Sequence, residues 1–219
     1  MTHPSPNCGE RRGGVLPDII VIHYTAMASC AVARARLCDP ASEVSAHWLV
    51  DLDGNAEALV PESLRAWHAG AGEWAGVTDV NSRSVGIELA NPGNAPYPQP
   101  QMAALEGLLA AIMARWSIPP HRVIGHSDMA PARKRDPGAR FDWRGLAQAG
   151  LSVWPDMVQA DPAGFADAAH GFGYPDVGPD MVLAAFRLRF RAWAHGPLDG
   201  LDAGMAADLA RRFPAPAFA

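Results

Sequence analysis

Three short apolar runs, DIIVIHYT (residues 18–25), SVGIELA (84–90) and RVIGH (122–126), each carry an ionisable residue where a buried strand has least room for one. Runs of this length, rich in Val and Ile, read as strands covered on both faces. His23 and His126 fall at the C-terminal ends of theirs, and Glu88 sits inside its own. An ionised carboxylate or an unsatisfied imidazole in such a place costs on the order of several kcal/mol unless it is paired or metal-bound. Any one of the three reads as a satisfied structural residue. Their joint appearance points instead to a site assembled at the strand ends.

The segments between the runs carry a helical period. SCAVARARLCD (29–39) reads as a helix. From Gln101 to Trp116 the apolar positions Leu105, Leu108, Leu109, Ile112 and Trp116 form one stripe, which ends before Pro119-Pro120. HWLVDLDGNAEALV (47–60) has two apolar runs around Asp53-Gly54, a pair that tolerates the positive φ of a hairpin turn. Strands interleaved with helices predict an α/β fold, a central mixed β-sheet flanked by helices. Near residues 155–160 the texture changes to alanine-rich helical segments broken by Gly, Pro and Asp. The expected organisation is an α/β domain over 1–155 and a small all-α C-terminal module over 160–219. Val182, Phe186, Phe190 and Trp193 form the stripe expected to make that module's core.

Bulk properties narrow the partners. A net charge of -5 with no basic block leaves no electrostatic footprint for nucleic acid. No apolar run reaches the roughly 18–20 residues of a membrane span, and no hydrophobic segment precedes Cys8. The expectation is a cytoplasmic protein, or one of the cell envelope if a leader is missing. Cys8, Cys30 and Cys38 are an odd set with no CxxC-type spacing, so buried packing is expected of them rather than a disulfide framework.

Two histidines and a carboxylate with an open fourth position are the makings of a catalytic zinc site. Asp136, ten residues beyond His126 on a loop bounded by Pro and Gly, can fold back to join His23 and His126. Spacing alone leaves Asp128 and Asp142 equally available, and His47, His68 and His121 compete with the two histidines. Beside Asp136 stands Lys134, the only lysine among 18 basic side chains.

IVIHYTAM (20–27), VSAHWLVDLDG (44–54), RAWHAG (65–70), NSRSVGIELANPG (81–93) and GHSDMAPARKRDPGARFDW (125–143) occur in this order. Together they resemble the successive blocks of the zinc-dependent N-acetylmuramoyl-L-alanine amidases of the type 2 amidase family, over roughly residues 18–150. The resemblance implies a Zn2+ cofactor held by His23, His126 and Asp136, with Glu88 as the catalytic carboxylate and Lys134 as the second catalytic group. It implies peptidoglycan fragments, muropeptides, as substrate, cut between N-acetylmuramic acid or its 1,6-anhydro form and L-alanine. The alternative is a recognition module that binds such fragments without cutting them, but relatives of that kind typically lack a complete ligand set. Four block residues are candidates for substrate contact: His47, Trp67 and His68 as parts of a cleft, and Arg83 facing a substrate carboxylate. For each, a packing or salt-bridge role competes. The C-terminal helices resemble more loosely a peptidoglycan-binding helical module.

Overall fold

The computed structural model describes residues 4–216; residues 1–3 and 217–219, the outer ends of the two expected domains, lie outside the described residues. The elements begin with β1 (Cys8–Gly9), β2 (Ile19–Tyr24), α1 (Cys30–Cys38), β3 (Trp48–Val50), β4 (Ala56–Ala58) and β5 (Arg65–Ala66). They continue with α2 (Val80–Arg83), β6 (Ser84–Leu89), α3 (Gln99–Trp116), β7 (Val123–Gly125), α4 (His126–Met129) and α5 (Trp143–Gln148). The chain ends in α6 (Phe165–Phe172), α7 (Pro179–Phe190) and α8 (Gly200–Arg212). The main sheet runs β4-β3-β6-β2-β7 and is mixed: β4 is antiparallel to β3, and the other pairings are parallel. β1 and β5 form a separate antiparallel ribbon.

Local chemistry sets the boundaries. β2 is buried from Ile19 to His23, as a central strand between parallel neighbours must be. α1 starts where the Ser29 side chain accepts the Val32 N–H, and α5 where Asp142 accepts from Gly145. α3 ends at Ser117, whose φ of 56° is left-handed.

Side chains alternate across a strand, so the sheet has two faces. Ile20 and Ile22 point into a core shared with Leu105, Leu109 and Ile112 of α3 and Leu146 of α5. Ile19 and Val21 point the other way, into a core shared with Phe165, Phe172, Phe186, Phe190 and Leu209 of α6, α7 and α8. The C-terminal helices are thus a layer on the sheet. Beside them α1 covers the same face over β3, through Ala33 and Leu37 against Leu49 and Leu59.

One local expectation is corrected. Trp193 does not continue the stripe of Val182, Phe186 and Phe190: α7 stops at Phe190, Arg191 leaves helical geometry with φ -146°, and Trp193 is 60% exposed. The expected hairpin forms, β3 and β4 pairing antiparallel across residues 51–55. Gly54 has φ +89° there, and a Cβ on it would stand 2.6 Å from the Pro100 carbonyl oxygen.

Candidate active site

The parallel strands end together at one edge of the sheet, where α/β folds place their sites. His23 on β2 lies in register with Glu88 on β6, and His126 follows directly after β7. Alternation puts His23 on the face of Ile19 and Val21, and its partner in register, Glu88, shares that face. Asp136 is brought in by the loop after α4, which is tied back where Ser127 N–H donates to the Asp136 carbonyl over 2.9 Å. His23 Nδ1 stands 2.8 Å from His126 Nδ1, and each is 3.0 Å from Asp136 Oδ2.

The surrounding hydrogen bonds assign the tautomers. The Ser84 hydroxyl donates to the Val80 carbonyl over 2.6 Å, so it accepts from His68 Nε2 at 3.1 Å. His68 Nδ1 is then unprotonated and accepts from His23 Nε2 at 3.1 Å, which leaves His23 Nδ1 bare. His126 Nε2 donates to the Ala69 carbonyl over 2.9 Å, which leaves His126 Nδ1 bare as well. In the neutral rings two imidazole lone pairs and a carboxylate oxygen therefore converge on one point. A cation satisfies this arrangement, and the three residues form a buried group able to hold a metal ion. Burial, and then His126, push the His23 pKa down to about 4, against the pull of Asp136, so the ring is neutral and ready to bind metal near pH 7.

Glu88 and Lys134 line the same cleft of about 420 Å³. Burial, reinforced by Asp136, pushes the Glu88 carboxyl up to about 8, while Lys134 pulls the other way. Glu88 Oε2 is buried without a hydrogen-bond partner. An orphaned oxygen with a pKa near neutrality, beside a metal-binding group, is suited to moving a proton.

Of the expected substrate residues, Trp67 and His68 line the cleft. His68 is also the link between Ser84 and His23. His47 is fully buried: its Nδ1 accepts the Gly86 N–H over 2.9 Å and its Nε2 faces the Leu64 carbonyl at 3.0 Å, a packing role. Arg83 lies at the far end of β6, paired with Asp18 over 2.8 Å, away from the cleft. The rival metal ligands are engaged elsewhere. Asp128 bonds Arg189 and Tyr174, Asp142 caps α5, and His121 stacks on Phe213. Ser84, the Ala69 carbonyl and Gly86 escaped the sequence reading. A Cβ on Gly86 would meet the His68 ring at 2.4 Å, and a glycine inside an otherwise apolar strand is the signal that marks such a close approach.

The sequence profile described as N-acetylmuramoyl-L-alanine amidase matches residues 13–139. The N-acetylmuramoyl-L-alanine amidase AmiD of Escherichia coli (strain K12) is 38% identical over 209 residues, 79% of this chain and 74% of AmiD. This chain belongs to the N-acetylmuramoyl-L-alanine amidase family. The amidase also matches the 1,6-anhydro-N-acetylmuramyl-L-alanine amidase AmpD of Enterobacter cloacae, at 39% identity over 46% of this chain and 54% of AmpD. The solved structure of E. coli AmiD with anhydro-N-acetylmuramic acid-L-Ala-D-γ-Glu-L-Lys superposes with a TM-score of 0.83 at 33% identity. It covers 96% of this chain and 99% of that one, so the amidase shares the layer of C-terminal helices as well as the sheet. AmpDh3 of Pseudomonas aeruginosa with an anhydromuramic pentapeptide gives a TM-score of 0.82 at 30% identity, over 93% and 95% of the two chains. Among the described residues no helix is long and apolar enough to cross a membrane.

Proposed function

We propose that the amidase hydrolyses the bond between N-acetylmuramic acid, in its ordinary or 1,6-anhydro form, and the L-alanine of a stem peptide, using zinc. The observation that carries this is the convergence of three donor atoms from His23, His126 and Asp136 beside the orphaned Glu88 oxygen. Two neutral imidazoles and one carboxylate match the donor set of a catalytic zinc with an open position, not the closed, cysteine-rich set of a structural one. Bound there, the ion supplies Lewis acidity to the amide carbonyl and acidifies water.

The chain's own groups do the rest. Glu88 takes the proton of the attacking water as the C–O bond forms, and delivers it to the alanine nitrogen as the C–N bond breaks. Lys134 supplies positive charge to the carbonyl oxygen as it becomes an oxyanion. Trp67 forms a wall for sugar or peptide. His68 and the Ala69 carbonyl hold the rings of His23 and His126 with Nδ1 turned toward the metal position. The chemistry belongs to residues 1–155, and residues 160–219 support the face that carries it.

Mass spectrometry of products from anhydromuropeptide and ordinary muropeptide, with and without a chelator, tests the reaction. Free L-alanyl peptide is expected only in the metal-loaded arm. Glu88→Gln should keep the zinc and lose turnover by about 10² or more. Full turnover in metal-free protein, or near-normal kcat in Glu88→Gln, overturns the reading. Cell fractionation distinguishes the cytoplasm from the envelope.

A further inference from the structure

The C-terminal layer reaches the metal group through a buried polar contact. Arg189 on α7 and Asp128 on α4 are 1% and 0% exposed as side chains, and Arg189 Nη1 donates to Asp128 Oδ2 over 2.8 Å. The same Asp128 oxygen accepts the Gly125 N–H at 2.8 Å, closing the cap of the helix whose first residue is His126. The other Asp128 oxygen accepts the Tyr174 hydroxyl over 2.7 Å. Arg189 Nη2 donates to the Val123 carbonyl at 2.9 Å, so one guanidinium grips β7 before His126 and α4 after it. A rigid planar fork spanning two acceptors is what arginine provides and lysine cannot.

A second contact converges on the same ring. His126 Nε2 donates to Ala69, and the segment that follows Ala69 is wedged between α4 and the C-terminal layer. Glu73 N–H donates to Met129 and Ala75 N–H to Gly173, each over 2.8 Å. Trp74, 1% exposed, meets Phe172 and Tyr174 edge-on at 5.5 and 5.2 Å. Gly173, with φ +140°, admits this ring: a Cβ there would lie 2.8 Å from it.

We propose that Arg189 and Tyr174 are positioning residues for His126, acting through Asp128, so that the C-terminal layer sets metal affinity. The proposal rests on the metal reading above. It identifies a role for these helices in building the site, distinct from any contact with glycan. Outer partners of a metal ligand typically change affinity by about 10- to 100-fold.

The test compares Arg189→Met and Tyr174→Phe with Arg187→Met, whose parent side chain pairs with Asp202 inside the layer and leaves that aspartate Arg191 as partner. Two readouts are taken on proteins shown to be folded: zinc Kd by chelator competition, and the nitrogen-15 resonances of the His126 ring in metal-free protein. Arg189→Met should weaken zinc binding about tenfold or more and shift the His126 ring nitrogen resonances. Tyr174→Phe, which removes one hydroxyl, should do the same to a smaller extent, and it carries the test if Arg189→Met does not fold. Arg187→Met should lower Tm while leaving both readouts within about twofold of the parent. Parent-like Kd and ring signals in Tyr174→Phe and in any folded Arg189→Met overturn the proposal. If the parent binds no zinc, the metal reading fails instead, and the His126 ring signals still decide the positioning role.

Discussion

The two faces of the sheet are made by the same alternating strands but differ along their length. On one face, Ile20 and Ile22 of β2 and Val85, Ile87 and Leu89 of β6 stay apolar from end to end beneath α3. On the other, Ile19 and Val21 give way to His23, and Ser84 and Gly86 lead to Glu88. The first face is sealed by the apolar stripe of α3 and by α5, with one buried amide, Gln101, donating to the Val50 and Ala90 carbonyls. The second is sealed by helices that arrive last in the chain and bring a buried ion pair, Arg189 with Asp128, to the edge of the metal group. A uniform face can be packed by any helix of the right shape, whereas a face that turns polar needs specific partners for each buried polar atom.

The strongest way to break this comparison is to end the chain at residue 159. Ile19, Val21, Trp74 and Ile124 lose their cover, so we expect loss of a cooperative unfolding transition and of zinc binding. A truncated protein that folds, holds zinc and cleaves soluble muropeptide like the parent shows the helices to be an appendage.

Matched core truncations sharpen the contrast. Leu109→Ala beneath the apolar face and Phe186→Ala beneath the polar one should cost about 2–5 and 3–5 kcal/mol of unfolding free energy respectively. Zinc Kd should move in Phe186→Ala alone; equal shifts in both variants would mean that the faces do not differ in their coupling to the site.

Lys134→Arg separates chemistry from support. The guanidinium keeps the charge but cannot approach one oxyanion as a compact ammonium does. A fall in kcat of about 10² to 10³ is expected, with Tm and the zinc Kd of the free enzyme unchanged. Activity within a few fold of the parent would make the lone lysine an accident of composition.

The smallest effect is a pH slope. Burial holds His23 and His47 at about 4 in the folded protein, below the ordinary value of 6.5. The unfolded chain therefore takes up protons first as pH falls. The stability these rings contribute is present above about 6.5 and is lost as pH drops toward 4. Thermal melts of metal-stripped protein should show Tm declining over that window, and a flat Tm would mean that the rings are not held neutral.

The strands were legible because burial on both faces demands continuous apolar runs, and α3 because its stripe has the helical period. His23, Glu88 and His126 stood out for the complementary reason, as polar residues where hydrocarbon was expected. Spacing could not choose among Asp128, Asp136 and Asp142, since a loop's path is set by what it packs on. The tertiary structure separates them: Asp136 reaches the histidines, Asp128 meets Arg189, and Asp142 caps a helix. Arg83 and His47 belonged to informative segments, yet parity and position along the strand send one to Asp18 and bury the other. What the sequence determined by itself was the strands of the main sheet and the ionisable residues at their ends, because burial leaves its mark at each position separately; the β1–β5 ribbon left no such mark. Only the tertiary structure decided that residues 160–219 form a layer of the same core and grip the helix of His126. Contacts between residues 61 apart, such as Arg189 and Asp128, leave no periodic trace in the chain.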